Sequence, residues 1–139
     1  MESREIIMKH YISSPYKKSL GKTNESYQKI TTKSDSCIDH LDIFIKLEKD
    51  RIVDASFSGE ACAIATSSCS ILLENCINKK ISEIKKIIEN FENMINEKTY
   101  NEEELHEAVV FKDIVKQGNR KSCAYLPYKA LKKIIDKEL

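Results

Sequence analysis

The chain predicts an α+β fold, a small antiparallel sheet of about three strands packed against several helices. Three observations lead there. Residues 40–48 alternate apolar and polar with a period of two. Residues 51–58 return as a second strand across Lys49-Asp50, which makes a hairpin. Everything after residue 60 carries helical rather than strand patterning.

Taken in order, residues 2–12 read as a short amphipathic helix with Ile6, Ile7 and Tyr11 on one face. Residues 13–22, with Pro15 and Gly21, read as a loop, and residues 27–32 as a first strand. In the second strand Leu41, Ile43, Ile45 and Leu47 take one face and Asp42, Phe44 and Lys46 the other. Gly59 is expected to end the third strand. Residues 61–76 then read as a helix rich in small residues at its start, suited to close packing. Residues 79–93 form a second long helix, with Ile81, Ile84, Ile88 and Phe91 near one face and Ser82 as its cap. Residues 102–117 read as a broken helical region that Gly118 stops. A final helix over 122–138 tolerates Pro127 near its start, where amides have no intrahelical partner.

Composition bounds the function classes. With 139 residues the chain is expected to form a single domain over 1–139 with a real core. A hydrophobic content of 41% and a charged content of 32% fit a soluble globular protein. The net charge of +1 gives no case for nucleic acid or a membrane surface, and no apolar run approaches the ~20 residues of a membrane span. The N-terminus carries no apolar signal region. Five cysteines, an odd number, argue against a closed disulfide framework and for reduced thiols in a cytoplasmic protein. Three glycines leave no phosphate-binding loop, and Ser67-Ser68 lacks a nucleophile-elbow frame.

The chemistry-bearing residues are cysteines. Cys37 is followed by Asp39 at i+2. Cys62 lies at a strand-to-helix junction. Cys123 follows Arg120 and Lys121. Three thiolates and a carboxylate complete a tetrahedral zinc set. A helix N-terminus favours thiolate, and Cys62 and Cys123 are both expected at helix starts. Spacing alone leaves a second reading open, that these are small core residues, and for an arbitrary chain that reading is the commoner one. Cys69 and Cys76 fall at seven-residue steps after Cys62, about 10 Å apart along a helix, and are read as core. His10 is expected to pack or hydrogen-bond near the N-terminal turn. His40 reads as a polar residue at a strand edge, and His106 as solvated.

Four segments, in order, resemble the IscU/SufU family of iron–sulfur cluster assembly proteins. They are Ile6-Ile7-Met8-Lys9-His10-Tyr11 with Pro15, Cys37-Ile38-Asp39, the stretch from Phe57 through Gly59-Glu60-Ala61-Cys62 to Ser68, and Arg120-x-x-Cys123-Ala124-Tyr125-Leu126 with Lys129-Ala130-Leu131. The match runs nearly end to end. The gap from Cys62 to Cys123 is 61 positions (123 − 62), it holds the extra acidic stretch Asn101-Glu102-Glu103-Glu104, and Ser122 stands where the IscU branch usually has histidine. These features resemble the zinc-binding SufU branch. Ile38 replaces a glycine usual in the family, Ser14-Pro15 replaces Asn-Pro, and a proline common before Arg120 is missing.

The resemblance selects the metal reading for Cys37, Asp39, Cys62 and Cys123. It implies a zinc-bound sulfur acceptor, a sulfurtransferase-like carrier rather than a conventional enzyme. Persulfide sulfur would come from a cysteine desulfurase to Cys37, with Arg120 assisting the encounter or the ligand exchange. The same thiolates suit a scaffold that holds a transient iron–sulfur cluster and passes it to recipient apoproteins or a downstream scaffold. A third reading, a structural zinc module that only binds a partner, is disfavoured by Asp39, because structural sites are mostly cysteine and histidine.

Overall fold

The computed structural model describes residues 2–18, 26–33 and 39–137. Its elements are α1 (Ser3–Ile12), β1 (Tyr27–Lys33), β2 (His40–Glu48), β3 (Arg51–Glu60), α2 (Ala63–Cys76), α3 (Ile81–Ile95), the short α4 (Glu102–Leu105), a 3₁₀ segment (His106–Ile114) and α5 (Gly118–Lys137). The strands form one antiparallel sheet in the order β1-β2-β3, a meander as expected.

The alternating strand pattern holds from Leu41 to Ile45, but Phe44 of the opposite face is also buried, and a register shift at Lys46–Leu47 leaves Leu47 half-buried. Leu41, Ile43 and Ile45 of β2 are fully buried, and Ile43 and Ile45 pair with Phe57 and Ala55 of β3. Lys49 takes the positive φ (59°) that a tight hairpin needs. α5 packs against β1 and β2, and α2 packs against β3. α1 lies farther out, against α2 and the 3₁₀ segment. At the centre Phe91 of α3 stacks on Tyr128 of α5 at 3.7 Å and meets Phe111 edge-on at 6.3 Å. Cys69 and Cys76 are fully buried in this core, as read from the sequence. Among the described residues no helix is long and apolar enough to cross a membrane.

Several expectations are corrected. β3 does not end at Gly59 but runs to Glu60. Gly59 has φ +117°, and a Cβ there would sit 2.2 Å from the His40 carbonyl oxygen. Only glycine lets the two backbones approach this closely. The buried face of α1 is not Ile6–Ile7–Tyr11. Ile6 and Ile7 are half-buried, His10 is the buried member, and Tyr11 is exposed. A polar residue thus occupies the inward position one turn after Ile6. Ser82 is not the cap of α3: the helix starts at Ile81, and the Glu83 carboxylate accepts the Lys80 N–H at 3.2 Å. Gly118 does not stop a helix but opens α5, so Pro127 lies in the helix interior.

Candidate metal centre

The sheet register builds the site. His40 pairs with Glu60 at the last rung of the β2–β3 ladder. The residues just beyond that rung, Asp39 before β2 and Cys62 after β3, therefore come side by side. Asp39 Oδ1 accepts the Cys62 backbone N–H at 2.7 Å. Cys62 is the N-cap of α2, and its Sγ accepts the Ala65 N–H at 3.4 Å. Two acceptors thus serve the free amides at the N-terminus of α2, where the helix dipole favours negative charge. This is the helix start expected for Cys62.

Cys123 arrives from the other end of the chain. Its Sγ–H donates to Asp39 Oδ2 at 3.1 Å. α5 is held against α2 one residue further on, where the buried Ser68 hydroxyl donates to the Ala124 carbonyl at 2.5 Å. The run of small residues at the start of α2 allows this approach: Ala65, Thr66, Ser67 and Ser68 are all buried. Sequence reading recognised the small residues, but Ser68 as the clamp was not foreseen. Its signal was a hydroxyl on the buried face, six residues after Cys62.

One expectation about Cys123 fails. It is not at a helix start but the sixth residue of α5, beyond the first turn. The dipole argument therefore does not cover it. Burial pushes its thiol up, as do its hydrogen bonds with Asp39 and Cys62 and their charges, to about 12 from 9.0. Asp39 is itself buried, at 4% exposure. The Cys123 thiol resists ionisation because its thiolate would face a carboxylate and a second sulfur in a partly dry site. A divalent ion removes that penalty.

The donor atoms of Asp39, Cys62 and Cys123 all lie within 4.8 Å of one another. Zinc bonds of about 2.0–2.3 Å put tetrahedral donors about 3.3–3.8 Å apart, so the cluster fits such an ion after small adjustments. Of the four ligands expected from the sequence, three are thus brought together. The fourth, Cys37, lies outside the described residues, as does Ile38. Arg120 is exposed on α5, one turn before Cys123, and no ion pair engages it among the described residues. His40 lies 3.5 Å from Asp42 and is not part of the cluster. His106 is exposed, as expected.

Fold and site together define a small α+β domain that gathers thiol and carboxylate donors from three distant parts of its chain. Residues 2–125 match the NifU-like N-terminal domain, and the chain belongs to that family. It is 31% identical over 121 residues to the iron–sulfur cluster assembly scaffold protein IscU of Thermotoga maritima, covering 87% of this chain and 85% of the relative. It is also 31% identical over 136 residues to the zinc-dependent sulfurtransferase SufU of Bacillus subtilis, covering 97% and 90%. A crystal structure of a putative SUF-system scaffold protein from Fervidobacterium islandicum superposes with a TM-score of 0.84 at 30% identity, over 92% of both chains. The resemblance to IscU and SufU drawn from the sequence is borne out, and so is the α+β fold.

Proposed function

We propose that this protein serves iron–sulfur cluster biogenesis as a zinc-bound sulfur acceptor for a cysteine desulfurase. The observation that carries the reading is the mixed donor cluster, in which one buried carboxylate, Asp39, bridges the Cys62 amide and the Cys123 thiol. A carboxylate among the thiols suits a site whose ligands exchange, since purely structural zinc sites are mostly cysteine and histidine. Cys37, two positions before Asp39, is the thiol the set takes as its fourth member. Zinc, when bound, holds the cysteines deprotonated and shields them from oxidation. Cys62 and Cys123 are fixed by α2 and α5, so they hold the ion. Cys37 is the ligand that leaves to react. Its thiolate attacks the outer sulfur of the desulfurase persulfide; a new S–S bond forms on Cys37, the old one breaks, and the desulfurase cysteine departs as thiolate. The transferred sulfur keeps its own proton, and no net oxidation occurs. Arg120, exposed one turn from Cys123, assists the encounter or the ligand exchange.

A second reading is a scaffold on which the cluster is assembled as cargo and passed to apoproteins. The likeness to the Thermotoga scaffold protein favours it, and thiolates suit both metals. The long gap between Cys62 and Cys123 and Ser122 in place of histidine favour sulfur acceptance.

The test is a cysteine series with mass spectrometry of the transferred sulfur and the desulfurase rate as readouts. Cys37→Ser is expected to abolish sulfur acceptance and keep much of the zinc. Cys62→Ser and Cys123→Ser are expected to lose zinc and stability together. Sulfur appearing first on Cys62 or Cys123 would refute the assignment. Full stimulation of the desulfurase by Cys37→Ser would move the reading to the scaffold.

A further inference from the structure

We propose a second divalent-metal site, built from nitrogen and oxygen donors, where α1, α2 and the 3₁₀ segment meet. Its ligands are His10, Glu74 and Glu107, and it takes a first-row transition ion such as iron(II) or zinc. The proposal stands independently of the sulfur-transfer reading.

The central observation is a histidine buried under two carboxylates. His10 is 4% exposed, although α1 is otherwise a peripheral helix. Its Nε2 lies 2.9 Å from Glu107 Oε1 and 3.5 Å from Glu74 Oε2. One donor atom from each of the three lies within 4.8 Å of the other two. Zinc–nitrogen and zinc–oxygen bonds of about 2.0–2.1 Å put tetrahedral donors about 3.3 Å apart, so the two contacts to Nε2 bracket the required separation.

The ring is oriented as metal-binding imidazoles are. Nδ1 lies 2.7 Å from the buried Ser70 hydroxyl, Ser70 Oγ lies 2.6 Å from Ser14 Oγ, and Ser14 Oγ accepts the Tyr16 N–H. With an ion on Nε2, a consistent set of donors runs from Nδ1–H to Ser70 and on to Ser14; without one, Nε2–H donates to Glu107 Oε1. A hydrogen bond on the far ring nitrogen is the support such a ligand requires.

Access and charge also fit. Glu74 and Glu107 line a cleft of about 250 Å³ together with Ile71, Asn75 and His106, with room for an ion and its waters. Two carboxylates and a neutral imidazole balance a divalent charge. Lys9 Nζ contacts the other Glu107 oxygen at 3.3 Å and leaves Oε1 to the ion. Imidazole with carboxylates is a harder donor set than the thiol cluster, so the two sites prefer different ions. They are separate: Glu74 follows Cys62 by twelve residues on α2, about 18 Å along the helix.

Cobalt(II) titration of the reduced, metal-free chain tests this. Two equivalents should bind. One should show the near-ultraviolet thiolate-to-cobalt band, and the other should bind by equilibrium dialysis without adding to it. Glu74→Gln should weaken the second equivalent at least ~10-fold and leave the thiolate band intact, because losing a ligand costs no less than losing its support. The Glu74 side chain is 51% exposed, so this variant keeps the fold. Cys62→Ser should do the reverse. His10→Gln, checked for folding by circular dichroism, should match Glu74→Gln. Binding of a single equivalent that shows the thiolate band overturns the proposal, as does any equivalent outside that band unmoved by Glu74→Gln. In either case the cluster is only an ion pair that pins α1.

Discussion

Replacing Gly59 with alanine should damage both the fold and the metal centre, and the size of the effect can be worked from the backbone. The new Cβ would sit 2.2 Å from the His40 carbonyl oxygen, with the His40 carbon at 3.1 Å and the Leu41 Cα at 3.2 Å. All three atoms are backbone, so no side chain can swing aside. Restoring an ordinary contact needs a retreat of about 1 Å between β2 and β3. Alanine at φ +117° adds strain of roughly 1–3 kcal/mol. With the disturbed last rung, a total near 3 kcal/mol is reasonable for such a site. At about 2.1 cal/mol/K per residue, 139 residues give an unfolding entropy near 0.29 kcal/mol/K, so the melting temperature should fall by about 10 °C. The displaced rung, His40–Glu60, is also what sets Asp39 beside Cys62. Zinc affinity should therefore drop about 10–100-fold, the usual cost of disturbing a ligand's support. Differential scanning calorimetry and competition with a chromogenic chelator measure the two effects. A variant that melts within about 2 °C of the parent and holds zinc as tightly would refute the reasoning.

Two further outcomes are expected. Ser68→Ala removes the hydroxyl that ties α2 to the Ala124 carbonyl and should cost about 1–2 kcal/mol by chemical denaturation, with weaker zinc binding, whereas Ser82→Ala on the exposed face of α3 should change neither. In the metal-free protein the Cys123 thiol is raised from 9.0 to about 12, so the stability it contributes is complete below 9.0 and is lost as pH rises toward about 12. Urea melts of the chelated, reduced protein at pH 8 and pH 10.5 should show a larger loss than in Cys123→Ser, and an equal loss in both would sink this assignment.

What could be read from the sequence divides along physical lines. The β2–β3 hairpin was legible almost to the residue, because a strand with one buried face writes its period directly into the chain. Cys69 and Cys76 were legible as core from helical geometry alone. His10 packs and hydrogen-bonds near the N-terminal turn as expected, but its place as the buried member of α1 was missed, since a search for apolar periodicity passes over a polar residue that is buried through hydrogen bonds. The start of α5 escaped because glycine usually marks helix ends, and nothing local says that the 3₁₀ segment passes almost directly into another helix. The metal cluster needed the resemblance. Asp39 and Cys62 are neighbours only through the last rung of a ladder, and Cys123 reaches them only through the packing of α2 on α5. Neither relation has a local signature. Cys37 lies outside the described residues.

Pro127 gives α5 two mechanical halves. Having no N–H, it offers nothing to the carbonyl four residues back, which is that of Cys123. The hydrogen-bond ladder is therefore interrupted just past the thiol. Beyond Pro127 the helix is anchored by Tyr128, Leu131, Ile134 and Ile135 in the core. Before it lie the turns that carry Arg120 and Cys123, joined to the rest through the side-chain clamp of Ser68 as much as through their own ladder. With Ala124 and Leu126 buried on this side of the proline as well, the ligand end of α5 keeps its place by packing against its neighbours rather than by an unbroken ladder.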